Sequence, residues 1–386
     1  MTGDPHQISA LTGARILTPV GWEDDSALMI RGDQIVAVLP NGKIPDGADV
    51  TVLDGGVLSA GFVDLQVNGG GGVMFNDAPE LEQLQVIAAA HARIGATSIL
   101  PTLITDAPNF VIRAIDAVIE AVALGVPGII GLHLEGPHLA VSRKGAHDAS
   151  LIRPMSDVDL EVLCTAATRL PVLKVTLACE AVTPLQIRCL SDAGVLVSLG
   201  HTDASHADCM AAVAAGARCV THLFNAQSQL GNREPGVVGA ALDLGGLSAG
   251  LIADGVHVHP ATMRAALEAK TGPGQVFLVS DSMATGGSEI DRFTLNGRGI
   301  RRDGNRLTLA DGTLAGAHLE LATAVGVLVE HCGVPLDTAL DMASTRPADL
   351  LGRSDLGRLQ PGARADVLHL SDGLELQRVW QGGQAV

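Results

Sequence analysis

Aromatic residues are almost missing from this chain of 386 residues: they make up 2% of it, and it contains no tyrosine. Proteins that bind single-stranded nucleic acid stack bases on aromatic side chains, so this composition argues against that class of function. The chain still has 47% hydrophobic residues, which is ample for a large core. We therefore expect a folded protein whose core is built from Ala, Val, Leu and Ile.

Positive charge is also scarce, with 25 Lys and Arg against 42 Asp and Glu and a formal net charge of −17. A surface of this sign repels DNA, RNA and acidic membranes, so we expect neither a nucleic acid nor a membrane as partner. A small anionic substrate remains compatible with the sequence where a few cations are gathered locally.

None of the six cysteines forms a CxxC pair, which favours reduced thiols over a zinc ribbon. The chain has no uninterrupted apolar run of membrane-spanning length, and its N-terminal sequence MTGDPHQ has no basic stretch typical of a signal peptide. We therefore expect a cytoplasmic protein.

Strand-like and helix-like segments alternate through the middle of the chain. Eight apolar runs are candidate strands: 61–68, 96–103, 129–135, 173–179, 195–201, 219–224, 248–254 and 275–281. Helical patterns occupy 79–94, 110–124, 157–169, 183–193 and 260–270. Strands alternating with helices imply a parallel sheet, and eight such units favour a closed (β/α)8 barrel over an open doubly wound sheet.

Both ends of the chain show a different pattern of short strands separated by turns. We predict one small β-sandwich domain made from residues 1–60 plus 355–386, flanking a barrel over residues 61–354. Asn-Gly and Asp-Gly turns predict a hairpin inserted near residues 293–309. Its arginines, Arg298 among them, are interpreted as a solvated face.

Glu135, His201 and His222 each follow an apolar run that we predict to be a barrel strand. A carboxylate just after a buried strand has lost much of its water and must neutralise or find a cation. A single such residue is usually a solvated or capping group, but barrel strands converge at their carboxyl ends. The three residues together predict a divalent metal site, since three protein ligands plus water are typical of catalytic zinc.

Asp281 ends the eighth predicted strand. A metal ion at this face would lower the pKa of its water and polarise a carbonyl group. Asp281 is then a candidate general base for that water and general acid for a leaving nitrogen. The alternative is a helix N-cap, because the sequence Ser-Asp-Ser around it could open a helix.

Other polar residues near the predicted strand ends could recognise a substrate. Lys144, His147 and Arg233, gathered together, would bind a phosphate or several hydroxyl groups. His257 and His259 have the spacing of a metal-binding H-x-H pair, but their position beyond the seventh strand favours a loop that faces the substrate.

Several motifs, in order, resemble the N-acetylglucosamine-6-phosphate deacetylase family of the amidohydrolase superfamily. They cover nearly the whole chain: GFVDLQVNGGGGVMFND, GLHLEGPH with KGAH, LGHTDAS, THLFNAQ with NREPG, IADGVHVHP, LVSDSMATGG, DGTLAGAHLELATAV and LGRLQPGARADVLHL. The resemblance implies an enzyme that hydrolyses N-acetyl-D-glucosamine 6-phosphate to D-glucosamine 6-phosphate and acetate in amino-sugar catabolism.

The resemblance also implies roles for individual residues. Matched by motif, Glu135, His201 and His222 would be the metal ligands and Asp281 the catalytic acid and base. His147 would contact sugar hydroxyls. Phosphate would be bound by Asn225, the Ala226 backbone, Arg233 and His257, the last two across the interface of a homodimer.

One departure from the wider superfamily concerns the first predicted strand, where many amidohydrolases have an H-x-H motif for a second metal. Here the corresponding residues are Gln66 and Asn68, and neutral amides are poor ligands for a transition metal. We predict one divalent ion per subunit, with Zn²⁺ as first choice and Fe²⁺, Co²⁺ or Mn²⁺ as alternatives. Gln66 and Asn68 would make polar contacts near it.

Three other functions stay open at this point. An N-acetylgalactosamine-6-phosphate deacetylase could differ by a single hydroxyl contact. A cyclic amidase is disfavoured because Glu135 takes the place of a carboxylated lysine that bridges two metals. A barrel that binds ligands without catalysis is disfavoured because Glu135, His201, His222 and Asp281 are all present.

Overall fold

The computed structural model describes residues 7–386. Six of the seven residues in MTGDPHQ, on which the expectation about a signal peptide rests, lie outside this range. Within residues 7–386, no helix is both long and apolar enough to cross a membrane.

The centre of the molecule is an eight-stranded parallel sheet whose neighbours follow the order of the chain, which confirms the (β/α)8 barrel. Its strands are β8 (Phe62–Val67), β11 (Ala96–Ile104), β12 (Leu132–Glu135), β13 (Leu173–Leu177), β14 (Leu196–Leu199), β15 (Cys219–Val220), β16 (Ser248–Leu251) and β17 (Val276–Leu278). A ribbon of β9 (Gly69–Gly70) and β10 (Val73–Met74) follows the first of them. Every residue in the eight barrel strands is buried, as helices cover a parallel barrel.

In the described part of the chain, ten α-helices accompany the strands: α1 (Leu81–Arg93), α2 (Pro108–Ala123), α3 (Asp157–Ala167), α4 (Pro184–Asp192), α5 (His206–Ala215), α6 (Gly236–Asp243), α7 (Pro260–Ala269), α8 (Leu321–Cys332), α9 (Leu336–Ala343) and α10 (Thr345–Leu350). The five helices predicted from apolar stripes are confirmed as α1 to α4 and α7. Our reading of the sequence missed the other five.

Two of the missed helices show why periodicity failed. Helix α6 is buried at every position before its last residue, so it has no polar face to reveal a helical period. Helix α5 is rich in alanine and has only a weak stripe. Its clear signal is the capping box in which Ser205 and Asp208 satisfy each other's backbone N–H groups.

The terminal segments form two further sheets that share a core. The N-terminal strands are β1 (Ile8–Thr12), β2 (Arg15–Thr18), β3 (Gly21–Glu23), β4 (Ser26–Arg31), β5 (Gln34–Pro40), β6 (Asp49–Val52) and β7 (Val57–Ala60), and the C-terminal ones are β21 (Val367–Leu370), β22 (Leu376–Gln381) and β23 (Gln384–Ala385). One sheet has the order β5-β4-β1-β6, and the other has the order β23-β22-β21-β7-β2-β3. Strand β7 pairs with β21, so both ends of the chain contribute to one sheet. The boundaries 1–60, 355–386 and 61–354 stay a prediction.

An antiparallel three-stranded sheet occupies the segment where we predicted a hairpin: β18 (Arg292–Leu295), β19 (Arg298–Asp303) and β20 (Arg306–Thr308). Its buried Leu295, Ile300 and Leu307 pack with Ile104 and Met283 from the barrel. Arg298 of this sheet is half-buried, and its guanidinium donates a hydrogen bond to the Ala146 carbonyl, so it is only partly the solvated group that we expected. We call the segment 292–308 the inserted sheet.

Gly56 joins the N-terminal strands to the strand that pairs with the C-terminus. It has a φ of +70°, and an added Cβ would lie 2.1 Å from the carbonyl oxygen of Leu370. Gly47 has a similar φ of +84°, with no atom within 4 Å of the added Cβ. The two glycines therefore separate backbone strain from steric overlap.

We predict that Gly47→Ala lowers the free energy of unfolding by about 1–2 kcal/mol, the cost of a left-handed conformation. Gly56→Ala should cost about 1–3 kcal/mol more, because backbone must move to admit the methyl group. Urea unfolding of both variants and the wild type measures the difference. Equal losses would show that the contact between Gly56 and Leu370 does not hold the two ends together.

Candidate metal-dependent active site

The predicted site residues lie at the carboxyl end of the barrel, but only one of the four is within a strand. Glu135 is the last residue of β12, whereas His201 and His222 lie two residues beyond β14 and β15, and Asp281 lies three beyond β17. The predicted strands ran too far at these three positions.

The backbone at these three residues leaves the strand through a left-handed conformation. The φ angles are 49° at His201, 27° at His222 and 51° at Asp281. Positive φ is uncommon outside glycine, and such conformations cluster at functional sites where the surrounding fold enforces them. Each turn directs a polar side chain into the mouth of the barrel instead of continuing the ladder.

Three donor atoms converge there. Oε1 of Glu135 lies 3.0 Å from Nε2 of His222 and 3.3 Å from Nε2 of His201, and the two imidazole nitrogens are 3.1 Å apart. Ligands at about 2.0–2.1 Å from one tetrahedral ion lie about 3.3 Å from each other. The donor set therefore fits a single divalent ion in both chemistry and spacing.

The environment favours the cation-binding state of two of these donors, His201 and Glu135. Nδ1 of His201 faces the Arg143 carbonyl oxygen at 2.8 Å, so its proton is donated there and Nε2 presents a lone pair. Burial alone would raise the pKa of Glu135, but hydrogen bonds and charge from His201 and His222 lower it well below its usual value. Burial lowers the pKa of His222, yet the hydrogen bond and charge of Glu135 outweigh it and raise that pKa, so an ion bound there would displace a proton from His222.

His147 is a second candidate ligand, because Glu135, His147 and His201 can each offer an atom within 4.8 Å of the others. Its Nε2 lies 3.9 Å from Oε2 of Glu135, a looser approach than that of His222. The Thr105 backbone N–H donates to Nδ1 of His147, which leaves the ring proton on Nε2. Burial, helped by His201, lowers the pKa of His147 to about 3, so the ring is neutral, and with its proton on Nε2 it presents a hydrogen-bond donor.

Asp281 faces the same cluster and is held by the two amides of the first barrel strand. Its Oδ1 accepts hydrogen bonds from Nε2 of Gln66 at 3.0 Å and Nδ2 of Asn68 at 2.8 Å. The same Gln66 nitrogen donates to Oε1 of Glu135 at 3.1 Å. Burial raises the pKa of Asp281, and the charge of Glu135 raises it further.

Gln66 and Asn68 therefore lie beside the cluster. Within residues 7–386, Oε1 of Gln66, Oδ1 of Asn68 and Nδ1 of His222 are buried and have no hydrogen-bond partner from the protein. The alternative role of Asp281 as an N-cap is not seen, because helix α8 begins only at Leu321.

A cavity of about 260 Å³ opens above these residues. Asn225, Ala226, His147 and His257 line it together with the cluster. The side chain of His257 is 6% exposed and pairs with Asp254 through Nδ1 at 2.6 Å. His257 therefore lines the cavity of its own chain and needs no partner subunit to reach it.

Three other residues suggested by the sequence lie elsewhere. Arg233 is exposed, and neither it nor Lys144 is among the residues that line the cavity. His259 caps helix α7, with its Nδ1 accepting a hydrogen bond from the Ala261 backbone N–H. The spacing of His257 and His259 therefore does not make a metal site.

The apolar wall of the cavity was missed by our reading of the sequence. Leu295 from the inserted sheet and Leu314 from the segment after it join Ile104 and Met283 around the opening. The turn residues of the hairpin revealed its strands, but no local pattern indicated that it packs over the barrel mouth.

Comparison with known proteins gives consistent relatives. The model of the amidohydrolase family matches residues 57–386. An N-acetylgalactosamine-6-phosphate deacetylase from Shewanella sp. (strain ANA-3) is 42% identical over 96% of this chain and 94% of its own. The crystal structure of N-acetylglucosamine-6-phosphate deacetylase from Pasteurella multocida has a TM-score of 0.94 at 33% identity, covering 98% of this chain and 99% of its own.

A third similar structure contains a ligand. It is an aspartate-to-alanine mutant of N-acetyl-D-glucosamine-6-phosphate deacetylase from Mycobacterium smegmatis, in complex with N-acetyl-D-glucosamine 6-phosphate. Its TM-score is 0.89 at 32% identity, and the match covers 98% of this chain and 99% of that one.

The geometry predicts unequal effects on metal retention. Glu135→Gln removes the only anionic donor of the convergent set and should weaken Zn²⁺ binding by more than about 100-fold. Gln66→Ala removes only an outer hydrogen-bond partner and should weaken it by about 10–100-fold at most. Equilibrium dialysis against Zn²⁺, followed by metal analysis, measures both.

Equal losses in the two variants would contradict the assignment of Glu135 as a ligand. Two tightly retained ions per chain in the wild type would contradict a single site.

Proposed function

The chain belongs to the amidohydrolase family, and from that premise we propose that it hydrolyses the acetamide of N-acetyl-D-glucosamine 6-phosphate, releasing acetate and D-glucosamine 6-phosphate. It is a hydrolase of the deacetylase type, as its relatives at 32–42% identity are. The observation that carries the proposal is the compact donor set of Glu135, His201 and His222, with Asp281 joined to it through Gln66.

We assign one divalent ion per subunit to Glu135, His201 and His222. When bound there, the ion, Zn²⁺ by first choice or Fe²⁺, Co²⁺ or Mn²⁺, supplies Lewis-acid polarisation of the acetamide carbonyl and lowers the pKa of water. A second ion would need imidazole ligands on the first barrel strand. This chain has the neutral amides of Gln66 and Asn68 there, and both already donate to Asp281.

Asp281 carries the proton transfers. Its Oδ1 is held by two amide donors, so the carboxylate has a fixed orientation towards the cavity. In its ionised form it accepts a proton from the attacking water, and it then donates this proton to the amine nitrogen as the C–N bond breaks. A raised pKa suits both steps, because the group must hold and release a proton within one turnover.

The remaining polar residues of the cavity are assigned to the sugar phosphate. His147 carries its proton on Nε2 and can donate it to a sugar hydroxyl. Asn225, the Ala226 backbone and His257 lie on the cavity wall and would bind phosphate. A phosphate bound there needs a further cation to offset its charge.

Arg233 would supply that cation from a second copy of the chain. It is exposed and outside the wall of its own cavity, which fits a role across the interface of a homodimer. We therefore propose a homodimer with active sites completed at the interface. All six cysteines are free, in keeping with a cytoplasmic enzyme of amino-sugar catabolism.

The galacto epimer is the second candidate substrate. The relative from Shewanella is named for it, while the similar crystal structures are named for the gluco epimer. Acetate release from both N-acetylhexosamine 6-phosphates, with and without chelator, tests the proposal. We expect chelator-sensitive release, with a higher kcat/KM for the gluco epimer. A higher value for the galacto epimer would transfer the assignment, and release from neither would overturn the proposed function.

Asp281→Asn should lower kcat by about 10²–10⁴-fold, the usual contribution of a general acid or base. Metal content should stay at the wild-type level, since Asp281 is not among the three convergent donors. In the wild type, kcat should fall as the pH is lowered through the pKa of Asp281, and this fall should begin above the ordinary range of an aspartate. A variant that keeps wild-type kcat would remove Asp281 from the mechanism.

A further inference from the structure

We propose that Asp64, a buried carboxylate outside the cavity wall, is the positioning residue of Asp281 and acts by closing the barrel between its first and last strands. This inference rests on the proposed function. It concerns the seam between β8 and β17, the one place in the described barrel where neighbouring strands share no regular ladder.

The seam is held by individual bonds instead. At its upper end, the backbone N–H groups of Asn68 and Gly69 both donate to the Ser282 carbonyl oxygen, at 2.8 and 3.1 Å. Below them, the carboxylate of Asp64 accepts from the Ser280 backbone N–H, which lies 3.2 Å from both carboxylate oxygens. Asp64 Oδ1 also accepts from the Gln66 backbone N–H at 3.1 Å. One carboxylate thus fixes the first strand to the residue that precedes Asp281.

The position of Asp281 depends on these bonds because the chain turns there. Its φ of 51° is a left-handed conformation, which must be imposed by its neighbours. The bonds at Ser280 and Ser282 hold the residues on either side of it. Gln66 donates from its backbone N–H to Asp64 and from its side chain to the carboxylate of Asp281. Asp64 therefore acts on the main chain before Asp281 and on the residue that orients its carboxylate.

Asp64 occupies a place where a carboxylate is costly. It is fully buried, and burial raises its pKa to about 7, with the charge of Asp281 adding to that effect. The charged groups that face it are Asp281 and the buried Lys174, whose Nζ reaches the Leu65 carbonyl oxygen at 3.4 Å. A carboxylate at this place costs free energy by desolvation, so a geometric role explains its presence better than packing does.

The test uses two substitutions and a matched control in the metal-loaded protein. Asp64→Ala removes every acceptor. Asp64→Asn keeps one oxygen, which can still accept from Ser280 and Gln66, but removes the charge. Leu65→Val trims a buried side chain on the opposite face of the same strand and controls for lost packing.

We expect Asp64→Ala to lower kcat by more than about tenfold with KM within about threefold, the pattern of a displaced catalytic group. Asp64→Asn should recover part of the loss. Leu65→Val should lower the melting temperature with kcat unchanged.

Two results would overturn the proposal: wild-type kcat per metal-loaded molecule in both Asp64 variants, or an equal loss of kcat in Leu65→Val. Should Asp64→Ala fail to fold, Asp64→Asn decides alone.

Hydrogen exchange separates this inference from the proposed function. The Ser280 amide should exchange faster in the Asp64 variants than in Leu65→Val, whether or not any substrate is turned over. A wild type that releases no acetate would refute the function and leave this readout intact, whereas unchanged exchange at Ser280 refutes the tether.

Discussion

Two buried carboxylates in one cavity must differ in their affinity for a proton, and much of the structure serves that constraint. Glu135 lies against two imidazoles that lower its pKa, while burial and the charge of Glu135 raise the pKa of Asp281. The side chain of Gln66 donates to both, so it keeps the two groups at a set separation. A neutral amide can hold both carboxylates without neutralising the charge of either. A histidine at this position that bound a second cation could not.

The barrel beneath the site is polar where many barrels are filled with branched aliphatic side chains. A hydrogen-bonded chain runs through its interior from Thr102 to His133, Thr176, Thr221 and Ser198, with contacts between 2.6 and 3.2 Å. Each link joins side chains that lie on, or directly after, different strands. Because buried polar groups have directional requirements, this chain limits how the strands can shift relative to each other. The ligands at the strand ends inherit that rigidity.

The mouth of the barrel is completed by segments that are far apart in the sequence. The inserted sheet packs Leu295 against Ile104 and Met283, and Arg298 binds the loop that carries His147. This arrangement brings an apolar wall and a hydrogen-bond donor to the same cavity. It gives the cavity surfaces of different polarity, which suit a substrate with an acetyl group and several hydroxyls.

The sequence alone determined the number of barrel strands and the candidate residues of the site, because apolar runs that end in Glu135, His201 and Asp281 are local signals. Gln66 and Asn68, where imidazoles would bind a second metal, indicated one ion just as locally. Tertiary structure alone decided how these residues act. The left-handed turns at His201, His222 and Asp281, the proton on Nε2 of His147, and the tether from Asp64 to Ser280 depend on contacts between strands far apart in sequence. The hydrogen bond of Arg298 and the burial of helix α6 show the same limit. Both depend on neighbours that come together only on folding, which charge and periodicity do not reveal.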